Sequence, residues 1–159
     1  MAPIPPDTPH AGRHEWNTFE NYGHINDRKL TEHPFVDHAE VTFEEIVFEG
    51  DLFIAMEATV HCPDGVILEV TKVFETKRMG PGQGRLYVRA FSYRYNAWIK
   101  GKHNVLRYDN SHNLDEYHGH RFDLDTGDLL TRRIMSRDEF PLFTEVLDEL
   151  QEITQSAIP

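Results

Sequence analysis

Three histidines, His112, His118 and His120, fall within nine residues, beside Asp109, Asp115 and Glu116. In an extended chain, side chains alternate between the two sides of a strand. If residues 117 to 124 form one, His118 and His120 therefore share a side. Two imidazoles so placed can divide proton transfer between them, because histidine changes charge near neutral pH. RNA cleavage needs this division. A base takes the 2′-hydroxyl proton, an acid protonates the leaving 5′-oxygen, and a cation meets the charge that builds on the phosphate. His118, His120 and Arg107 or Arg121 fit the three roles, with Asp109 close by in the chain. Tyr108 can stand in as acid or base if neighbouring arginines lower its pKa. The same histidines can instead hold a metal. Zinc or another divalent ion in a catalytic site takes about three protein ligands, often with a carboxylate among them. His112, Asp109 or Asp125 can complete a site with His118 and His120, and His112, His118 and His120 are the set expected. The acid–base reading needs no cofactor, and the spacing alone leaves both chemistries open.

A second pattern precedes this one. From Thr76 to Tyr108 there is no Asp or Glu, while Lys77, Arg78, Arg85, Arg89, Arg94, Lys100, Lys102 and Arg107 give eight positive charges in a chain of net charge -11. The overall charge argues against a protein that coats nucleic acid or membrane with its whole surface, and the local excess points to an anionic partner at one face. Within this segment Arg85, Tyr87, Arg89, Phe91, Tyr93 and Tyr95 alternate with Leu86, Val88 and Ala90. Arginine neutralises phosphate and a tyrosine ring stacks on a base, so Arg85, Tyr87, Arg89, Tyr93, Arg94 and Tyr95 form the expected substrate-binding strand. The same surface would serve a non-catalytic module that docks RNA or an acidic protein.

The elements that must position these residues are legible from periodicity. The 159 residues suit a single domain, read as 37–155 behind a proline-rich, loosely ordered arm of residues 1–36. Within the arm, Trp16, Phe19 and Tyr22 recur every three residues, so a short segment can pack onto the domain. Strand patterns run from Val41 to Phe48, from Leu52 to Val60, from Val66 to Phe74, from Arg85 to Ile99, from Asn104 to Tyr108, from Tyr117 to Leu124 and from Leu129 to Ile134. Turn residues separate them, notably Glu49-Gly50-Asp51. Phe140, Phe143, Val146, Leu147, Leu150 and Ile153 recur at the helix period, with Ser136 and Glu139 as a capping box or Pro141 as the start. The expected architecture is α+β: a curved antiparallel sheet of five to seven strands with a C-terminal amphipathic helix on one face. The single Cys62 excludes an internal disulfide. No stretch approaches a membrane span and the N-terminus lacks a secretory core, so a cytoplasmic location is expected. A homodimer is left open.

The run Tyr93-Arg94-Tyr95-Asn96, then Arg107-Tyr108-Asp109-Asn110, then His118-Gly119-His120, with the closing helix, resembles the TumE-like proteins over about residues 38 to 153. These are toxins of two-gene toxin and antitoxin systems, together with related domains of unknown function. The resemblance implies a toxin acting on RNA or translation, an antitoxin protein as partner, and a site on Tyr108, Asp109, Asn110, His118 and His120.

Overall fold

The computed structural model describes residues 14–110 and 113–156. Its elements are β1 (Asn17–Thr18), α1 (Phe19–Glu32), β2 (His38–Phe48), β3 (Asp51–His61), β4 (Val66–Met79), β5 (Arg85–Ile99), β6 (Asn104–Asp109), β7 (Tyr117–Phe122), β8 (Leu129–Met135) and α2 (Phe143–Ser156). The strands form one antiparallel sheet in the order β2-β3-β4-β5-β6-β7-β8, with β1 added to β5. There are thus eight strands among the described residues rather than five to seven. The extra one spans two residues, too few for alternation to appear in the sequence.

Glu49 and Gly50 close the β2–β3 hairpin with φ of 51° and 83°, the left-handed pair that matches the twist of the flanking strands. Alternate residues of β3 and β4, from Ile54 to Val60 and from Val66 to Phe74, are buried on one side of the sheet. Helix α2 covers that side through Phe143, Val146, Leu147 and Leu150. Each such side chain, fully buried, stabilises the fold by about 1.5–3 kcal/mol. The Ser136–Glu139 capping box does form, with Ser136 N donating to Glu139 Oε1 at 3.0 Å and Glu139 N donating to Ser136 Oγ at 3.3 Å. It closes a turn and not the helix, which begins two residues after Pro141.

The expected loose arm needs correction over its described part. Thr18 Oγ1 caps α1 by accepting from Asn21 N, and Trp16, Leu30 and Phe35 are buried. His33 Nε2 meets Asp148 Oδ1 at 2.7 Å, joining the end of α1 to α2. Residues 1–13 lie outside the described residues.

The sheet has one irregularity that decides what β5 presents. Val73 pairs with Ser92 but Phe74 pairs with Ala90, so Phe91 is an inserted residue. A one-residue bulge reverses the side to which every following side chain points. Before it, Val88 and Ala90 face the helices. After it, Tyr93, Tyr95 and Ala97 do. Asn110, fully buried, holds the bulge: its Oδ1 accepts from Tyr93 N at 2.8 Å and its Nδ2 donates to Phe91 O at 2.8 Å and to Leu114 O at 3.2 Å.

Candidate active site

The bulge overturns the expected row of arginines and tyrosines. Tyr93 and Tyr95 are 1 % and 0 % exposed and pack around Phe140 under α2, so neither offers a ring to a base. Tyr87 is buried as well. Arg89 is engaged by Glu75 Oε1 at 3.2 Å and lies over the Trp16 ring. Arg85 and Arg89 occupy the half of β5 that runs past the end of β6, where β1 pairs at Tyr87 and Val88. Of the expected binding strand, Arg94 alone stays exposed on the open side and in register with β6. Asn110, with its amide committed to backbone groups, is a positioning residue.

Tyr108 is also reassigned. It faces the helices, where its hydroxyl donates to Glu149 Oε2 at 2.7 Å, while Arg121 Nη2 donates to Glu149 Oε1 at 3.0 Å. Burial and the Glu149 hydrogen bond push the Tyr108 pKa up, against the expected lowering by arginines. This arrangement explains the glycine between the two histidines. A Cβ at Gly119 would lie 2.7 Å from Tyr108 Cε1 and 2.9 Å from Met135 Cε, so the Tyr108 ring needs the bare backbone beneath it. Arg121 and Tyr108 therefore fix α2 against β6 and β7.

The opposite side of the same two strands, which carries neither helix, collects the remaining residues. His118 and His120 share it, with ring centroids 6.2 Å apart and planes inclined by 23°. Register places Asp109 opposite His118 and Arg107 opposite His120 on β6, then Arg94 opposite Asp109 and Asn96 opposite Arg107 on β5. Arg132 faces His120 from β8. Arg107 Nε donates to the buried Asp109 Oδ2 at 2.6 Å, which holds the guanidinium along β6 on the side of the sheet that carries the imidazoles. Glu116 Oε1 stands 3.3 Å from His118 Nε2. Partial burial, helped by Arg132, His118 and Arg107 against the opposing pull of Asp109, lowers the His120 pKa.

Three buried polar atoms here find no hydrogen-bond partner among the described residues: Nδ1 of His118, Nδ1 of His120 and Oδ1 of Asn96. Buried groups left unpaired are exceptions in folded proteins, and a catalytic role is one of the reasons they persist. Asn96 and Arg132 were not apparent from the sequence. Only the register distinguishes Arg132, opposite His120, from Arg133, which opposes Gly119 and pairs with Glu139 at 2.9 Å. His112, the third expected metal ligand, lies outside the described residues. Among those described, no third histidine, cysteine or carboxylate donor converges with His118 and His120.

A family model described as Toxin TumE matches residues 26–155 of the chain. No curated protein and no solved structure matches it.

Proposed function

The chain belongs to the Toxin TumE family, and from that premise we propose that its open sheet face cleaves RNA by metal-independent acid–base catalysis. The observation that carries this reading is the juxtaposition of His118 and His120 with Arg107, which Asp109 anchors at 2.6 Å. His120, kept neutral by its lowered pKa, takes the proton from a 2′-hydroxyl. The 2′-oxygen attacks the phosphorus, and the bond to the 5′-oxygen breaks. His118, with Glu116 at 3.3 Å to accompany its protonated form, gives a proton to the departing oxygen. Arg107, with Arg94 and Arg132 in adjacent strands, meets the charge on the phosphate oxygens. An antitoxin protein is the partner a toxin family implies. The face uncovered by the helices is the part of the domain such a partner must block to silence this reaction.

The test uses the full chain and a single-stranded RNA substrate. Changing either histidine to Ala should lower turnover by about a hundredfold to ten-thousandfold with little loss of substrate affinity. Because His120 must be deprotonated to act, the acid limb of the pH–rate profile should lie below about 6.5. Activity should also persist after chelation. A His118→Ala, His120→Ala double variant that cleaves RNA and arrests growth like the unaltered protein would refute the reading.

A further inference from the structure

A second cluster of ligating side chains sits at the other end of the sheet. His38 opens β2 and stands directly opposite His61, the last residue of β3. Their rings stack with centroids 4.2 Å apart and planes inclined by only 11°. Glu40, two residues along β2, projects from the same side as His38. One ligand atom from each of His38, Glu40 and His61 lies within 4.8 Å of the other two. An ion at about 2.0–2.2 Å from each of three such ligands brings their donors to roughly 3–4 Å apart. The remaining closure is a rotation of side chains that are exposed, or half-buried for His61, and it tilts the two stacked imidazoles apart so that their nitrogens converge.

We propose that His38, Glu40 and His61 form a site for one zinc-like divalent cation that clasps the edge strand β2 to β3. Two imidazoles and one carboxylate suit zinc and its borderline neighbours nickel, cobalt and copper, and do not suit magnesium or calcium, which take oxygen ligands. Three protein ligands leave a coordination position for water. The site lies four strand spacings from β7, about 19 Å across the sheet, so it is separate from His118 and His120. Its position gives it a mechanical role. Among the described residues β2 is an edge strand held on one side, its hairpin turn lies at Glu49-Gly50, and the cluster sits at the opposite end. A cation there links residues 38 and 61 and resists fraying of β2 from that end.

The experiment takes the full chain, without a histidine tag and stripped with chelator. Zinc is titrated by calorimetry, cobalt by its visible absorption, and melting is followed with and without zinc. The expected result is one ion per chain and a zinc-dependent rise in Tm. The His38→Ala, His61→Ala variant should bind at least tenfold more weakly and lose the rise in Tm, while melting like the unaltered chain when metal is absent. Glu40→Gln should bind with intermediate affinity. A His118→Ala, His120→Ala variant should bind as the unaltered chain does. Unchanged binding in the His38→Ala, His61→Ala variant would overturn the site. So would binding that disappears with His118 and His120, or one ion per two chains.

Discussion

Strands β6 and β7 show two different surfaces on their two sides. Toward the helices, Tyr108 and Arg121 both end on Glu149, and Gly119 is bare so that the Tyr108 ring can lie over it. Lys72, on β4, donates to Tyr22 Oη at 3.1 Å within a box of aromatic rings that includes Tyr93, Tyr95 and Phe143. These polar groups are paired with one another across elements. On the other side, Nδ1 of His118, Nδ1 of His120 and the side-chain Oδ1 of Asn96 have no hydrogen-bond partner among the described residues, while His118 Nε2 meets Glu116. The paired groups on the helix side link separate elements, and the open side gathers His118, His120, Arg107 and Arg94 on neighbouring strands without such a link to a helix. Substitutions on the two sides should therefore fail in different ways.

The largest effect is expected at Asn110, which supports both sides by holding the bulge. Asn110→Ala leaves Tyr93 N, Phe91 O and Leu114 O without the amide and should cost about 2–4 kcal/mol in chemical denaturation. Variant protein that remains folded should bind RNA normally. A stable Asn110→Ala protein with weakened RNA affinity would move Asn110 to the ligand side of the comparison.

Lys72 comes next. Burial, with Lys29 a smaller contributor, pushes its pKa down to about 7. Above the ordinary lysine value near 10.5 both folded and unfolded chains hold a neutral amine. Between there and about 7 the unfolded chain alone binds the proton, so stability should fall as pH is lowered through that window and level off below it. The four ring faces at 5.4–5.8 Å attract the ammonium and soften the slope. Lys72→Met should flatten the dependence and raise stability at neutral pH by about 1–3 kcal/mol. Denaturation midpoints measured from pH 7 to 9.5 check both, and an unchanged slope would break the assignment.

The smallest stability effect belongs to the open side. Arg94→Glu should shift stability by less than about 0.5 kcal/mol, weaken single-stranded RNA binding and reduce its salt dependence. Arg89→Glu should do the reverse, because it breaks the contacts with Glu75 and Trp16. Equal losses of affinity in both variants would restore a continuous basic strand as the binding surface.

Local patterns in the sequence were enough for the β2 to β8 strand series, the Glu49-Gly50 hairpin and the helical stripe of Phe143, Val146, Leu147 and Leu150. They also placed His118 and His120 on one side. Each of these depends on a period of two or 3.6 residues, or on turn chemistry confined to neighbours, so a short window carries the information. The same window misled where the cause was distant. Arg85, Tyr87, Arg89, Phe91, Tyr93 and Tyr95 fall on one side by simple alternation, yet the insertion at Phe91 reverses the sides beyond it, and the amide that holds the insertion comes from Asn110, 19 residues away. The Tyr108 hydroxyl finds Glu149 across 41 residues, and Lys72 donates to Tyr22 across 50. His38 and His61 become neighbours only because the hairpin folds them together. The sequence by itself determined which residues alternate and where the chain turns. The tertiary structure decided which side of the sheet the helices cover, and with it which arginines, tyrosines and histidines remain open to a substrate. That choice depends on pairing register and packing between segments far apart in the chain, which no local period records.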